Sequence, residues 1–511
     1  MNNIVLVVIL PLLAAFLMPV LAHSSQVLAR TSGLLVLLLS IGIILNVWGQ
    51  VDEQAVSFAI GGYLPPLGIV FYIDQLSLLM ALLVPVMVLI FWPWNRVCHI
   101  REYSLMMLLT ASASGLALSG DLFNIYVFYE LLAVASYGLA AIQTKTAGHS
   151  RSAIAASFRY LVLGTVGSVM MLIGIAIIYT QAGTLNLAHL ALLAPEKLNN
   201  IAGLSAFALI LIGVGVKAEL FPVNSWVPEV YSTVSTRLAA LMAGLLSKLA
   251  VIIIIRLLIL LFPQPEALHL MAILGLLGLI TGELVAWRSK DMIRMLSFSS
   301  IGQLGLIFLA FSIPGEMGLM AGVALVLHHM LIKPALFMLA EGWQGSLENL
   351  AGVAKRSPYA VALFVLLILS LLGIPPLPGF WAKYLLMTGL ASQAGSIYTL
   401  GMVLVPVAIV IEVAYLFRVV KIMYKEPLAE PSAEQKTSAH KPFIHKPMDF
   451  AVAMVAGILL LMITIKLPVM SDSLSSLARQ TGDRQHYINT VFPEIKQVKN
   501  LSMIERTQRI Q

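Results

Sequence analysis

Residues 202–222 read AGLSAFALILIGVGVKAELFP, an apolar run that ends on Lys217, Glu219 and Pro222. Residues 359–383 read YAVALFVLLILSLLGIPPLPGFWAK, a second apolar run, broken at 373–379 (GIPPLPG) and followed by Lys383. Proline has no N–H to donate and its ring clashes with the preceding turn, so neither run continues as one unbroken helix. An ionisable side chain inside a membrane helix costs at least ~2.5–3.5 kcal/mol. A lysine at each break is therefore a feature with a use. Two interrupted helices, five spans apart, predict two five-helix repeats with their sites at the breaks.

The surrounding chain reads the same way. Of 511 residues, 59% are hydrophobic and 11% charged, with a mean hydropathy of +0.94. Soluble domains carry about 25% charged residues, so most of this chain is expected in lipid. A spanning helix needs ~20 mostly apolar residues. About fourteen runs meet that rule, near 2–22, 31–49, 71–94, 103–119, 121–142, 153–181, 202–221, 234–262, 267–287, 292–313, 316–341, 359–388, 396–424 and 448–469. The expectation is an all-α polytopic membrane protein without sheets, with broken helices 7 and 12. Its divisions are helices 1–3 (1–102), a first five-helix repeat (103–262), a second (263–424), a polar cytoplasmic loop (425–447), helix 14 (448–469) and a tail (470–511). The first run lacks a basic n-region and reads as a membrane helix, not a signal peptide.

The net charge of +7 is not a nucleic-acid signature, because the basic residues sit in short loops between apolar runs. Arg30, Arg96, Arg101, Lys145, Arg151, Arg288, Lys290, Lys355, Arg356 and Lys425, with Lys436, Lys441 and Lys446, fall on one side; Asp52, Glu53, Glu196, Glu266 and Glu316 fall on the other. The positive-inside rule then puts both termini outside. The tail after Met470 is too long for that rule, and its position stays open. The single cysteine, Cys98, excludes an intrachain disulfide and a cysteine metal site.

Chemistry is carried by ionisable residues inside the spans. Glu130 lies mid-span with no basic neighbour in sequence, so its partner comes from another helix. Lys217 and Lys383 sit at the breaks, and Lys248 lies mid-span in the eighth run. His329 and Lys333 are four apart and share a helix face. Opposite charges about 4 Å apart attract by ~4 kcal/mol at an effective dielectric of ~20. Opening and closing such a pair can therefore make a buried lysine release or hold a proton. Glu130, Lys217, Lys248, His329, Lys333 and Lys383 form the candidate proton relay. Lysines outnumber acids in this set, which favours moving charge over static pairing. Glu412 ranks below the set, and Glu219 and Glu283 are ambiguous. Asp74 reads as a cap or anchor, His328 as packing or a supporting partner, and Arg159 and Arg256 as structural cations that can snorkel. There is no P-loop, no dinucleotide glycine fingerprint and no metal-ligand cluster, so no cofactor is expected on this chain.

These blocks resemble a family: the antiporter-like proton-conducting subunits shared by respiratory complex I, membrane-bound hydrogenases and Mrp-type sodium/proton antiporters. The likeness covers roughly 60–425 and rests on residues 61–77 (GGYLPPLGIVFYIDQLS), 121–130 (DLFNIYVFYE), 217–228 (KAELFPVNSWVP), 290–305 (KDMIRMLSFSSIGQLG), 329–337 (HMLIKPALF) and 373–383 (GIPPLPGFWAK). It implies that Glu130 and Lys217 form a modulating ion pair, that Lys248 and His329, with Lys333, form a central relay, and that Lys383 ends the path at the opposite face. It implies inverted repeats, a bacterial or archaeal plasma membrane, partner membrane subunits, and protons, with or without sodium, as cargo. Asn224 and Arg237 depart from the pattern, where the family usually has His and a small residue or Pro. The size fits the shorter members, the D-type subunits of Mrp antiporters among them. The leading expectation is a proton-translocating antiporter subunit; the second is the same relay driven by redox partners. A stand-alone solute carrier lacks a solute-binding polar pocket, and a pure scaffold leaves the buried lysines without a use.

Overall fold

The computed structural model describes residues 2–51, 55–94, 100–142, 150–343, 345–426 and 447–494. Arg96, Cys98, Lys145, the Arg151 side chain and nearly all of the polar 425–447 loop lie outside the described residues, as do Asp52 and Glu53.

The fold is a helical bundle, and helix occurs in each of the apolar runs read from the sequence. Among the described residues, nine helices are long and apolar enough to cross a membrane, or ten if the bent pair at 450–482 counts as one. Shorter apolar helices form at Gln75–Ile90, Ile201–Gly215 and Pro358–Leu372, the last two being the spans expected to be broken, and nine or ten full-length spans do not by themselves establish a count of fourteen. Several helices start where short polar side chains cap them. The Asp121 carboxylate accepts from the Phe123 and Asn124 amides (2.9 and 3.1 Å), and Asn186 and Asp291 cap in the same way.

Thr236–Leu261, Met292–Phe311 and Glu316–Glu341 are buried almost all round and form the core. Leu6–Ser24, Gln26–Trp48 and Ser396–Tyr424 lie at the rim and expose apolar faces, as at Phe16, Leu35 and Val410. A helix apolar on every side needs protein or lipid around it, and here the inner ones have protein.

Three departures from the sequence expectation bear on the site. A two-stranded antiparallel hairpin pairs β1 (Val56–Ala59) with β2 (Val70–Ile73), and β2 occupies what was read as the start of helix 3. The four-residue run Val70-Phe71-Tyr72-Ile73 is wholly apolar, and a short buried strand cannot be told from a buried helix by periodicity. Second, the loop after Ser150–Ala182 contains the unforeseen helix Leu187–Lys197. Third, the described part of the tail, to residue 494, is folded. Beyond Pro447–Ile465 the chain bends by 89° into Leu467–Gly482, followed by Arg484–Val491. Ser475 donates to Glu316 (2.8 Å), Ser57 donates to the Thr490 carbonyl (3.0 Å), and the Tyr487 ring stacks on Tyr72 (3.8 Å). The tail thus lies on the bundle end that carries the hairpin and Glu316.

Candidate functional site

Both sequence breaks form. Ile201–Gly215 gives way to non-helical backbone at 216–225 before Trp226–Thr233, and Pro358–Leu372 gives way at 373–377 before Pro378–Ala391. Lys217 and Glu219 lie inside the first break. The second is turned by Gly373 at φ +83°, a left-handed conformation that glycine adopts without a Cβ clash.

The Lys217 ammonium has no hydrogen-bond partner and lies 3.9 Å from the Tyr129 ring centroid and 5.3 Å from that of Tyr137. Glu130 is close enough for its charge to act on Lys217, yet one of its carboxylate oxygens is buried and unpartnered. The implied ion pair is therefore not closed. An aromatic cup holds the ammonium through cation–π attraction, worth up to ~2 kcal/mol when desolvated, and leaves its protons unclaimed. Tyr137 packs edge-on against Tyr160, which stacks on Trp226 at 4.0 Å. This aromatic wall crosses the break towards Glu219, which accepts from the Tyr231 hydroxyl at 2.8 Å. Asn224, the departure at this break, donates to the Glu219 carbonyl (3.3 Å) and so braces the turn.

Glu219 faces Lys248 and Ser247. Lys248 follows a π turn at Met242–Leu246 and is fully buried; it donates to the Ala243 carbonyl and to the Ser247 hydroxyl (2.9 Å). π turns widen a helix by one residue and recur at functional sites. Here the turn also admits a neighbour, since a Cβ on Gly244 would meet Pro334 Cγ at 2.5 Å. His329 lies between Lys248 and Lys333, and neither of its ring nitrogens has a partner. Lys333 donates to the Ser299 hydroxyl at 2.7 Å.

The second half gathers acidic and basic groups from several helices. Lys383 pairs with Glu412 at 2.9 Å, and the other Glu412 oxygen accepts from the Gln303 amide at 2.8 Å. Glu283 adjoins Glu412, Tyr415, Lys333 and Lys383, and both its oxygens are buried without a hydrogen bond of good geometry, the Tyr415 hydroxyl being the neighbour placed to donate. A Cβ on Gly302 would lie 2.3 Å from Glu283 Oε1, so Gly302 is what makes room for that carboxylate. The block 290–305 thereby gains a physical meaning, because Ser299, Gly302 and Gln303 position Lys333, Glu283 and Glu412. Gly302→Ala is expected to displace Glu283 and to lower transport in the assembled complex without removing any ionisable group; unchanged transport would show that the Glu283 position is irrelevant.

Glu130 acts on Lys217, Glu219 on Lys248 and Lys333, His329 adjoins Lys248 and Lys333, and Lys333 adjoins Glu283, Glu412 and Lys383. The expected excess of lysines is thus corrected: four carboxylates and four lysines interleave around one histidine. Glu283 and Glu412 reach the lysines from helices remote in sequence, whereas Glu219 lies two residues from Lys217 in the same break. His328 bonds Ser370 at 2.9 Å and adjoins Lys383 and His329. Arg159 forms an exposed pair with Glu229. Arg256 does not snorkel; its guanidinium binds both Asp74 oxygens at 3.0 and 2.9 Å in a buried pair. Asp74 also caps Gln75–Ile90 in a capping box with Ser77.

The family model for the transmembrane region of NADH:quinone oxidoreductase/Mrp antiporter proteins matches residues 119–411. A Na(+)/H(+) antiporter protein of Alkalihalophilus pseudofirmus, the D-type component of that antiporter, is 30% identical over 97% of this chain and 100% of its own length. The N-type component of the NADH-quinone oxidoreductase of Desulforudis audaxviator is 29% identical over 89% of this chain and 93% of its own. Among solved structures, a polypeptide of an archaeal membrane-bound sulfane sulfur reductase superposes with a TM-score of 0.84 at 28% identity, covering 96% of this chain and 100% of that one. A polypeptide of the Mrp complex from Dietzia sp. gives 0.82 at 25% identity, covering 96% and 99%.

Proposed function

Because the chain belongs to the NADH:quinone oxidoreductase/Mrp antiporter family, we propose that it is a proton-translocating membrane subunit of a multisubunit cation/proton antiporter. The observation that carries this reading is the line of interleaved buried acids and bases. On it, Glu130, Lys217, Glu219, His329 and Glu283 each keep at least one buried polar atom without a partner. Buried polar atoms are nearly always satisfied, and exceptions call for a functional reason or an unseen water. A chain of half-satisfied titratable groups suits protons that must arrive and leave. A static network would use every lone pair.

In this reading Lys217 is the switch of the first half. Closing on Glu130 holds its proton, and opening that pair removes the stronger attraction, so that the proton can pass towards Glu219 and Lys248 despite the weaker hold of the tyrosine cup. His329 and Lys333 join the halves, and Lys383 with Glu412 forms the far end. The blocks 103–262 and 263–424 are read as two inverted repeats, each with one break. The chain resides in the plasma membrane of a bacterium or archaeon with both termini outside. Its partners are other membrane subunits. One charge moved across 100 mV is worth ~2.3 kcal/mol, a scale that proton or sodium gradients supply.

The test is cation/proton exchange by the assembled complex in membrane vesicles. Lys217→Ala and Glu130→Ala are each expected to lower exchange towards background with assembly intact. If both variants exchange at the wild-type rate, the proposal is wrong. A second reading, a redox-driven pump, is favoured by the relative named as part of an NADH-quinone oxidoreductase. Mass spectrometry of the co-purified complex separates the two, since iron–sulfur or flavin subunits support the pump and small membrane subunits alone support the antiporter.

A further inference from the structure

Away from the relay, the turn between Pro265–Arg288 and Met292–Phe311 brings together Arg288, Lys290 and Arg294. Two open cavities, of about 370 and 550 Å³, share Arg288 there. Lys290 and Arg294 line the first, and Arg418, from Ser396–Tyr424, lines the second. None of these four cations has an ion-pair partner among the described residues. The one acid at the cavity, Asp291, is engaged as a helix cap, accepting from the Arg294 amide at 2.9 Å. Arg418 donates to the Ser289 carbonyl (3.0 Å), while its Nε is buried and unpartnered.

The surface next to this cationic mouth is apolar. Leu277 and Leu284 stand seven residues apart on one helix and are 44% and 40% exposed. Val410 and Phe417 stand seven apart on the other and are 67% and 48% exposed. A spacing of seven keeps residues on one helix face, and these two helices pack together. Trp287, 49% exposed, sits beside the mouth, at the kind of level where tryptophan anchors to a membrane interface.

The geometry points to a binding site for the phosphate of an anionic phospholipid, with its acyl chains along the apolar strip between the two helices. Guanidinium groups match phosphate oxygens in paired hydrogen bonds, and basic recesses between membrane helices select acidic lipid headgroups. A free phosphate would use the cations and leave the strip unexplained. A lipid uses both. The inference rests on the membrane fold alone and is independent of what the relay carries.

The experiment is native mass spectrometry of the purified complex, delipidated and then exposed to phosphatidylglycerol or to phosphatidylcholine of the same chain length. Wild-type complex is expected to retain phosphatidylglycerol on the order of tenfold better or more. That preference should vanish in Arg288→Gln with Arg294→Gln, fall in Arg418→Gln, and persist in Arg288→Lys. Lys421→Gln, exposed on the Ser396–Tyr424 helix but not lining either cavity, should retain it. Thermal unfolding guards against misfolded variants, because phosphatidylglycerol should raise the midpoint of wild type and not of the double variant. Equal retention of both lipids, an unchanged preference in the double variant, or equal stabilisation by inorganic phosphate alone would each overturn the site. So would a photo-crosslinking side chain placed at Trp287 that labels another polypeptide instead of lipid.

Discussion

Lys383→Ala is expected to abolish ion exchange and to destabilise the protein, while Lys383→Met combined with Glu412→Gln restores stability and leaves exchange abolished. The single substitution leaves Glu412 at 1% exposure with only the Gln303 amide on one oxygen. Removing one partner of a buried pair costs ~3–5 kcal/mol when the other stays charged. Glu412 can take up a proton instead, which brings the cost below that range. The double variant puts a thioether and an amide of similar size where the ions stood, and such replacements are often neutral. Stability therefore returns. Proton transfer does not, because neither new side chain titrates, and removal of a positioned acid–base group costs on the order of 10²-fold or more in rate. Melting midpoints and vesicle exchange, measured on the same preparations, decide the matter. If exchange recovers together with stability, the pair is a strut and the far end of the relay lies elsewhere.

The second large effect falls outside the relay. Asp74→Asn is expected to remove the chain from the assembled complex, through ~3–5 kcal/mol of lost stability. Asparagine can still cap Gln75–Ile90 by accepting from the Ser77 amide, so the variant isolates the charge. Arg256 is then left at 8% exposure beside Tyr72 and Tyr487 with no carboxylate. Unlike Glu412, it cannot escape by changing protonation, because a guanidinium stays charged in proteins. This asymmetry makes Asp74→Asn more damaging to folding than Lys383→Ala, although the latter touches the proposed relay. Adding Arg256→Met should recover assembly. Quantifying the chain in the solubilised complex is the measurement. Normal assembly of Asp74→Asn would mean that solvent reaches Arg256 despite its burial.

The two variants separate what buried charge does in this fold. The Asp74–Arg256 pair is satisfied on both carboxylate oxygens, joins positions 182 residues apart and is covered by Tyr487 of the tail. It behaves as a fastening. Glu283, His329 and Lys217 have the opposite character, buried with open valences.

Hydrophobic run length was enough to place helices throughout the chain, because the cost of bare backbone in lipid leaves few other structures for twenty apolar residues. Proline and glycine chemistry located both breaks, a local property that needs no tertiary contact. The same reasoning singled out Lys217, Lys248, His329, Lys333 and Lys383, since a charge in an apolar run is conspicuous wherever it folds. What sequence could not supply was pairing. Glu412 meets Lys383 from another helix, Glu283 meets them from a third, and Gly302 matters only because Glu283 fills the space its missing side chain leaves. Arg256 and Asp74 looked like separate anchors until the fold joined them. The short strand at Val70–Ile73 was misread because four apolar residues have no period of their own. Local signals thus determined most of the helices, both breaks and several of the buried charges. Only the packing of distant helices decided which buried charges are satisfied and which are left open, because that depends on distances across the bundle that no stretch of sequence contains.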